Sequence, residues 1–257
     1  TIEEGFCLPK VERFEELINE RTKAIMICNP NNPTGYLYTR REMNQIRDLV
    51  KKYDLYLFSD EVYREFIYTG SPYISACHLE GIEENVVLID SVSKRYSECG
   101  IRIGALITKN EQLRQAVMKF CQARLSPPLI GQIAAEASLD EPEAYTRETY
   151  DEYVERRKCL IDGLNRISGV YSPIPMGAFY TVARLPVDDS EKFCAWCLSE
   201  FDYEGETVMM APASGFYTTP GAGRDEVRIA YVLKKDDLVR ALFVLRKALE
   251  AYPGRTI

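Results

Sequence analysis

The sequence predicts an α/β protein: a larger domain with a mostly parallel sheet flanked by helices, followed by a smaller C-terminal α+β domain. Short, continuously apolar runs such as Val86–Ile89 are typical of strands buried on both faces. These runs alternate with amphipathic helical stretches, and the order strand, helix, strand is a βαβ unit. Beyond residue 167 the pattern changes to short strands separated by helical stretches, which is typical of an α+β domain.

The larger domain is predicted over residues 1–145. An amphipathic helix with Val11, Phe14 and Leu17 on one face opens it, and four buried strands are expected. The predicted elements are helix Pro9–Lys23, strand Ala24–Cys28, helix Arg40–Tyr53, and strands Leu55–Phe58, Val86–Ile89 and Ala105–Thr108. If the strands that precede Asn32, Asp60 and Lys94 are parallel, their ends lie at one edge of the sheet.

The smaller domain is predicted over residues 146–257. Before it, helical periodicity runs over Glu111–Arg124, breaks at Pro127 and Pro128, and continues to Leu139. A long charged helix is predicted over Pro142–Ile167, and we expect it to link the two domains. Strands Phe179–Ala183, Thr207–Met210 and Val227–Val232 then alternate with helices Glu191–Glu200 and Asp236–Ala251.

Composition narrows the function classes. The 257 residues carry a formal net charge of −7, with 46% hydrophobic and 28% charged residues. This acidic balance argues against nonspecific binding to nucleic acid or to anionic membrane. No apolar run is long enough to span a membrane, and no signal peptide is recognisable. We therefore expect a cytoplasmic protein with no nucleic-acid or membrane partner.

Cysteine and histidine usage predicts reduced thiols and no metal site. Eight cysteines are scattered without a disulfide framework. Cys194 and Cys197 form a CxxC within a predicted helix, without a second cysteine pair or a nearby histidine, so we interpret them as packing residues. His78 is the only histidine, which rules out a histidine-rich metal site.

The stretch Ser91–Lys94, followed by Gly100–Gly104, carries the first chemical signal. A lysine at the end of a buried strand lies near the carboxyl edge of the sheet, where open α/β sheets bind ligands. A partly desolvated lysine there can form a Schiff base with an aldehyde. Arg102 can bind an anion such as a phosphate. The alternative is that Lys94 and Arg102 are ordinary surface charges.

Two further stretches follow predicted strands. Asn29–Gly35 contains two prolines, three asparagines and a glycine, which favours a rigid loop that presents amide side chains. Ser59–Tyr63 places an acid and a tyrosine directly after the next strand. Together these features meet what a pyridoxal phosphate (PLP) cofactor requires: a lysine, an acid, hydrogen-bond donors and an anion site.

The segments Asn29–Gly35, Ser59–Tyr63, Ser91–Gly104 and Val227–Tyr231 resemble those of class I/II aminotransferases, which are fold type I PLP enzymes of the aspartate aminotransferase type. The resemblance covers essentially the whole chain. It implies a PLP-transferase-like fold, pyridoxal 5'-phosphate as cofactor, and small-molecule amino acid and 2-oxo acid substrates. Aspartate is one candidate substrate, and a homodimer is implied for a complete enzyme.

The resemblance also implies roles for residues near the cofactor ring. Lys94 is the Schiff-base lysine and proton carrier. Asp60 pairs with the pyridine nitrogen. Tyr63 and Asn32 bind the phenolate oxygen.

Anion sites are implied in the same way. Ser91 and Arg102 hold the cofactor phosphate, with Ser93 as a weaker candidate. Arg228 binds the substrate α-carboxylate as a bidentate fork, with Asn32 beside the substrate. For Arg228 the alternative is a surface arginine at a strand edge. Arg124 is a further candidate for a second carboxylate, although a surface arginine at a helix end is the simpler interpretation.

Family members are longer than this chain and carry an N-terminal part that completes the phosphate site and stacks on the ring. We therefore expect a C-terminal portion of an aminotransferase, with little activity alone. Two alternatives stay open. One is a PLP-dependent lyase or synthase of the same fold, such as a carbon–sulfur β-lyase. The other is a non-catalytic module that senses PLP or amino acids.

Overall fold

A computed structural model describes all residues from 1 to 257. The chain forms two compact units. The N-terminal unit consists of Leu8–Asn31 and Leu37–Glu148, and the C-terminal unit of Thr1–Cys7, Asn32–Tyr36 and Thr149–Ile257. The sequence predicted a division at residue 145, and the last change of unit lies between Glu148 and Thr149. The prediction placed Thr1–Cys7 and Asn32–Tyr36 in the larger domain, whereas they group with the C-terminal unit.

The N-terminal unit is built on a four-stranded sheet of order β1-β2-β3-β4. Its strands are β1 (Ala24–Cys28), β2 (Tyr56–Asp60), β3 (Val86–Ser91) and β4 (Gly104–Ile107). β1, β2 and β3 pair in parallel, whereas β4 pairs antiparallel with β3. The mostly parallel sheet and the α/β fold class predicted from the sequence are confirmed.

Helices of this unit are α1 (Val11–Glu15), α2 (Arg40–Tyr53), α3 (Val92–Arg95), α4 (Glu111–Arg124) and α5 (Leu129–Ala137). α2 begins with a capping box, in which Thr39 and Glu42 each bind the other's backbone N–H. Its apolar face, including Met43 and Ile46, packs into one buried cluster with Leu57 of β2. The face of β2 that carries Leu57 is therefore the one packed in this cluster with α2.

Strand direction decides which residues meet at the carboxyl edge of the sheet. Asp60 ends β2 and Ser91 ends β3, and the two strands are parallel neighbours. Because β4 runs antiparallel, its first residue, Gly104, lies opposite Ser91. Arg102, two residues before Gly104, is therefore delivered to this same edge.

The C-terminal unit has a three-stranded antiparallel sheet of order β5-β7-β6. Its strands are β5 (Tyr180–Arg184), β6 (Ala211–Pro212) and β7 (Glu226–Ala230), and its helices α7 (Ser190–Ser199) and α8 (Lys235–Ala251). A long helix, α6 (Glu143–Leu164), contains the last change of unit. Ile2 is fully buried against Val182 and Ala213, which anchors the first residues in this unit.

The predicted helix Pro9–Lys23 is wrong beyond Glu15, where α1 ends. Two local hydrogen bonds compete with the helix: the Asn19 side chain accepts from the N–H of Arg21, and Thr22 Oγ1 accepts from the N–H of Asn19. Such side-chain contacts to the backbone favour turns over helix. Leu17, assigned to the buried face, is 78% exposed.

Two strand predictions are also corrected. Thr207–Met210 is not a strand, because only the next two residues, Ala211 and Pro212, pair with β7. The apolar run resembles a strand, but the pairing that defines a strand depends on distant residues. β4 forms close to its predicted place but is not buried, since Leu106 and Ile107 are 41% and 48% exposed.

The CxxC cysteines lie within α7, and both thiols are buried and reduced. Burial raises the pKa of Cys194 to about 11 and that of Cys197 to about 12. Thiols with raised pKa values are poor nucleophiles and poor metal ligands, so the structure favours the interpretation of these residues as packing residues.

None of the helices is both long and apolar enough to cross a membrane.

The tight approach at Gly35 gives a stability prediction. Gly35 has φ of +70°, and a Cβ there would lie 2.4 Å from Pro175 Cβ. Gly221 in the same unit has φ of +80° with open space around it. We expect Gly35→Ala to lower the free energy of unfolding by about 2–4 kcal/mol, from backbone strain plus the clash. Gly221→Ala carries the strain alone, about 1 kcal/mol.

Trp196, the only tryptophan, lies in α7 and reports on this unit, so urea unfolding followed by its fluorescence measures both variants. Equal losses in the two variants would contradict the close packing of Pro175 on Gly35.

Candidate active site

Most of the predicted site residues lie at the carboxyl edge of the sheet in the N-terminal unit. They are Asp60, Tyr63, Ser91, Ser93, Lys94 and Arg102. Asn32 and Arg228 belong to the C-terminal unit. The structure therefore presents two groups of predicted site residues, and the roles assigned to them stay predictions.

Lys94 lies in α3, directly after β3, and is partly buried. Its Nζ is 5.9 Å from the centroid of the Tyr63 ring, at the outer limit of a cation–π contact. Tyr63 is itself buried, with 4% of its surface exposed. The amine is thus held against a fixed aromatic surface at the end of the strand.

Asp60 is a half-buried carboxyl that ends β2. Burial raises its pKa above the ordinary value of 3.8, and the negative charge of Asp90 raises that pKa further. Two contacts act in the opposite direction and favour the carboxylate: the N–H of Val62, 3.2 Å from Oδ1, and the positive charge of Lys94. Burial therefore destabilises the ionised form of Asp60, and the positive charge of the nearby Lys94 amine offsets part of this effect.

Ser91 and Ser93 place two hydroxyl groups together. Ser91 Oγ lies 2.7 Å from Ser93 Oγ and 2.8 Å from the carbonyl oxygen of Ile103. It also accepts the N–H of Ser93 at 3.1 Å, as the N-cap of α3. The hydroxyl pair is therefore fixed on one side by the start of α3 and on the other by the segment before β4.

Arg102 is exposed and sits in a strained backbone position, with φ of +59°. One nitrogen of its guanidinium group, Nη1, donates to the carbonyl oxygen of Cys99 at 2.9 Å. Its remaining N–H donors suit an anion. Nearby, a Cβ on Gly104 would lie 3.0 Å from the carbonyl oxygen of Asp90, so glycine permits the close pairing that brings this loop to Ser91.

Arg228 lies in β7 of the C-terminal unit, between two aromatic rings. Its Cζ is 5.3 Å from the centroid of the Tyr180 ring and 5.1 Å from that of Phe216. Its Nη1 donates to Asn32 Oδ1 at 3.3 Å. These contacts orient the guanidinium without neutralising its charge, which leaves it suited to a carboxylate.

Sequence reasoning missed the two rings that hold Arg228. Tyr180 and Phe216 come from segments separated by more than thirty residues, roughly the length of a βαβ unit. Their contact with β7 depends on the antiparallel pairing of β5 with β7 and on the turn that contains Phe216. No local pattern marks either ring.

The raised pKa of Asp60 gives a pH-dependent stability prediction. Because the protonated form is favoured in the folded state, its contribution is present below the ordinary pKa of 3.8 and is lost as the pH rises through the raised value. We expect Asp60→Asn to be more stable than the parent at pH 7, by less than about 1 kcal/mol because solvent screens a half-buried charge. The difference should shrink as the pH falls toward 4.

Urea unfolding followed by circular dichroism at several pH values measures this difference. Asp48→Asn, which removes an exposed ion pair with Arg47 on α2, is the control. The control should change stability by less than about 0.5 kcal/mol. A loss of stability at pH 7 in Asp60→Asn would contradict the assigned cost of the buried charge.

Comparison with known proteins gives a consistent result. The model of the family "Aminotransferase class I and II" matches residues 7–244. The chain is 31% identical over 252 residues to a putative aminotransferase, YugH, of Bacillus subtilis, covering 97% of this chain and 62% of that protein. It is 30% identical to an aspartate aminotransferase of Pyrococcus horikoshii, covering 96% of this chain and 62% of that protein.

Solved structures agree with these relatives. An aspartate aminotransferase from Thermotoga maritima superposes with a TM-score of 0.84 at 29% identity, covering 98% of this chain and 62% of that one. An aromatic aminotransferase from Pyrococcus horikoshii has the same TM-score and identity, covering 96% and 65%. The chain thus spans about three fifths of the length of these relatives. Its sequence and its fold place it in the class I and II aminotransferase family.

Proposed function

We propose that this chain carries the catalytic lysine of a PLP-dependent aminotransferase, which moves an amino group between an amino acid and a 2-oxo acid. The observation that carries the proposal is the position of Lys94. It lies in α3, directly after the buried strand β3, and near the Tyr63 ring. It is also close enough to Asp60 for its positive charge to oppose the rise in the pKa of that carboxyl. Aspartate is the first substrate to test, since two relatives of similar sequence are named aspartate aminotransferases.

The donor set of the N-terminal unit fits PLP. The hydroxyl pair of Ser91 and Ser93 and the exposed guanidinium of Arg102 offer donors for a phosphate. The Asp60 carboxylate suits a protonated ring nitrogen, and the Lys94 amine suits an aldehyde. When bound, PLP supplies a conjugated ring that delocalises the negative charge left at the substrate α-carbon.

The chain's own residues would do the remaining work. Lys94, once its amine is unprotonated, would hold the cofactor through its aldehyde and would carry a proton to or from the substrate α-carbon. Asp60 holds the proton on the ring nitrogen by its negative charge. Tyr63 donates to the phenolate oxygen, a contact that Asn32 is proposed to share.

Arg228 is proposed to bind the substrate α-carboxylate through two parallel hydrogen bonds. Tyr180 and Phe216 restrict the guanidinium plane, which reduces the side-chain entropy lost when the carboxylate binds. Asn32 accepts from Nη1 and so holds one end of the fork. The chain covers 62% of its relatives' length, so the activity, a homodimeric assembly and a cytoplasmic location are proposed for the whole protein.

Product analysis tests the function. Protein loaded with PLP is incubated with an amino acid, and release of the matching 2-oxo acid is measured, with Lys94→Ala as the inactive control. A lyase would instead release a product that has lost its side-chain group. A sensing module would bind the amino acid and release no 2-oxo acid. Either result would contradict the proposal.

The first prediction concerns Lys94 as the site of covalent attachment. Borohydride reduction of PLP-loaded protein should leave the pyridoxyl mass on Lys94, because this partly buried lysine follows the buried strand β3 and lies close to the Asp60 carboxyl. Peptide mass spectrometry locates the adduct. An adduct found mainly on another lysine would rule out the assignment.

The second prediction concerns selection of α-amino acids by Arg228. Arg228→Lys should lower kcat/KM for amino acids by about a hundredfold, ~3 kcal/mol, because a lysine cannot form the bidentate pair. Turnover of the matching decarboxylated amine should change little. Arg224→Lys, in an exposed ion pair with Asp189 of the same unit, is the control. Equal losses on both substrates would mean that Arg228 has a structural role only.

A further inference from the structure

Four charged residues form an ion network at the carboxyl edge of the sheet in the N-terminal unit. Asp90 Oδ2 lies 2.8 Å from Arg64 Nη2 and 3.2 Å from Arg95 Nη2. Glu65 Oε1 completes the network at 3.0 Å from Arg95 Nε. The four side chains are only 13% to 33% exposed, and their charges sum to zero. At such burial, ion pairs are screened less by solvent than surface pairs are.

The network is interleaved with the predicted site along the chain. Three of its members are direct neighbours of predicted site residues: Arg64 follows Tyr63, Asp90 precedes Ser91, and Arg95 follows Lys94. The network therefore holds side chains on the same backbone segments that carry these residues.

α3 needs support from its ends, because it is short and packs no buried side chain into the core. The helix has four residues, and none of them is buried. Isolated helices of this length are unstable in water. At its start, Asp90 Oδ1 accepts the N–H of Ser91 at 2.8 Å, next to the Ser91 cap. At its end, Arg95 is held by Asp90 and Glu65. One carboxylate, Asp90, thus ties both ends of the helix that carries Lys94.

We propose that this network, with Asp90 at its centre, positions the Lys94 amine for condensation with the PLP aldehyde, in which a C=N bond replaces the C=O bond and the oxygen leaves as water. The proposal rests on the proposed function, because it assumes that Lys94 is the residue that bonds PLP. Asp90, Arg64, Glu65 and Arg95 are positioning residues, since they act on the amine through the backbone of α3. A network that only stabilised the fold would leave the placement of the amine unchanged.

The test compares three variants with the parent. Asp90→Asn removes the charge but keeps an oxygen for the Ser91 N–H. Arg95→Ala removes the guanidinium that contacts both Asp90 and Glu65. Arg95→Lys keeps the positive charge but lacks the planar group that reaches both carboxylates. Arg47→Ala, which breaks the Arg47–Asp48 pair on α2, is the matched control in the same unit.

Three readouts are measured for each protein. The first is the rate at which Lys94 becomes labelled when PLP and borohydride are supplied together, at saturating PLP. The second is the pH dependence of the visible absorption band of bound PLP. The third, made without PLP, is hydrogen exchange at the amides of Ser91–Tyr96, together with the melting temperature.

Labelling of Lys94 should slow by about tenfold or more in Asp90→Asn and Arg95→Ala, since a misplacement near 1 Å can cost about a hundredfold in rate. Exchange at Ser91–Tyr96 should quicken in both, and Arg95→Lys should recover part of the labelling rate. Arg47→Ala should match the parent.

If the parent is labelled on Lys94 but Asp90→Asn and Arg95→Ala are labelled at the parent rate, with an unchanged absorption band, the positioning role is overturned while the proposed function stands. A lower melting temperature with unchanged labelling has the same meaning, because it shows a structural role alone. If the parent itself takes no PLP on Lys94, both proposals are overturned.

Discussion

The parallel pairing of β2 with β3 is the constraint on which the candidate site depends. It sets Asp60 beside Ile89, one residue before Asp90 and two before Ser91. Because side chains alternate between the faces of a strand, a slip of one residue would turn Asp60 to the other face of the sheet. The half-burial that raises the pKa of Asp60, and its closeness to Lys94, both follow from this register. The antiparallel entry of β4 then adds Arg102 to the same edge.

Much of this architecture could be predicted from local sequence. β1, β2, β3 and α2 formed close to their predicted bounds, because apolar runs and helical periodicity are local signals that tertiary packing reinforced. The predicted site residues that follow β2 and β3 lie at the carboxyl edge for the same reason. The aminotransferase family was predicted from motif order and is confirmed, whereas the roles of the individual residues stay predictions.

The errors came from interactions that a local pattern does not contain. α1 stops early because Asn19 and Thr22 bind nearby backbone, a competition that apolar periodicity does not reveal. Thr207–Met210 has strand composition but no partner strand. The rings around Arg228 and the ions around Asp90 are brought together by sheet pairing between distant segments, so neither had a sequence signature.

Four arginines in and around the candidate site differ in the kind of partner that holds them. Arg64 and Arg95 bind carboxylates, which neutralise them and make them supports for α3. Arg228 is held by two rings and an amide oxygen, and Arg102 by a backbone carbonyl. Such neutral partners orient a guanidinium without competing for its charge. A cation held in this way keeps its affinity for an anion, and a carboxylate partner would instead have to be displaced first. The arginines proposed to bind phosphate and substrate are therefore both held by neutral partners, which leave their charge available.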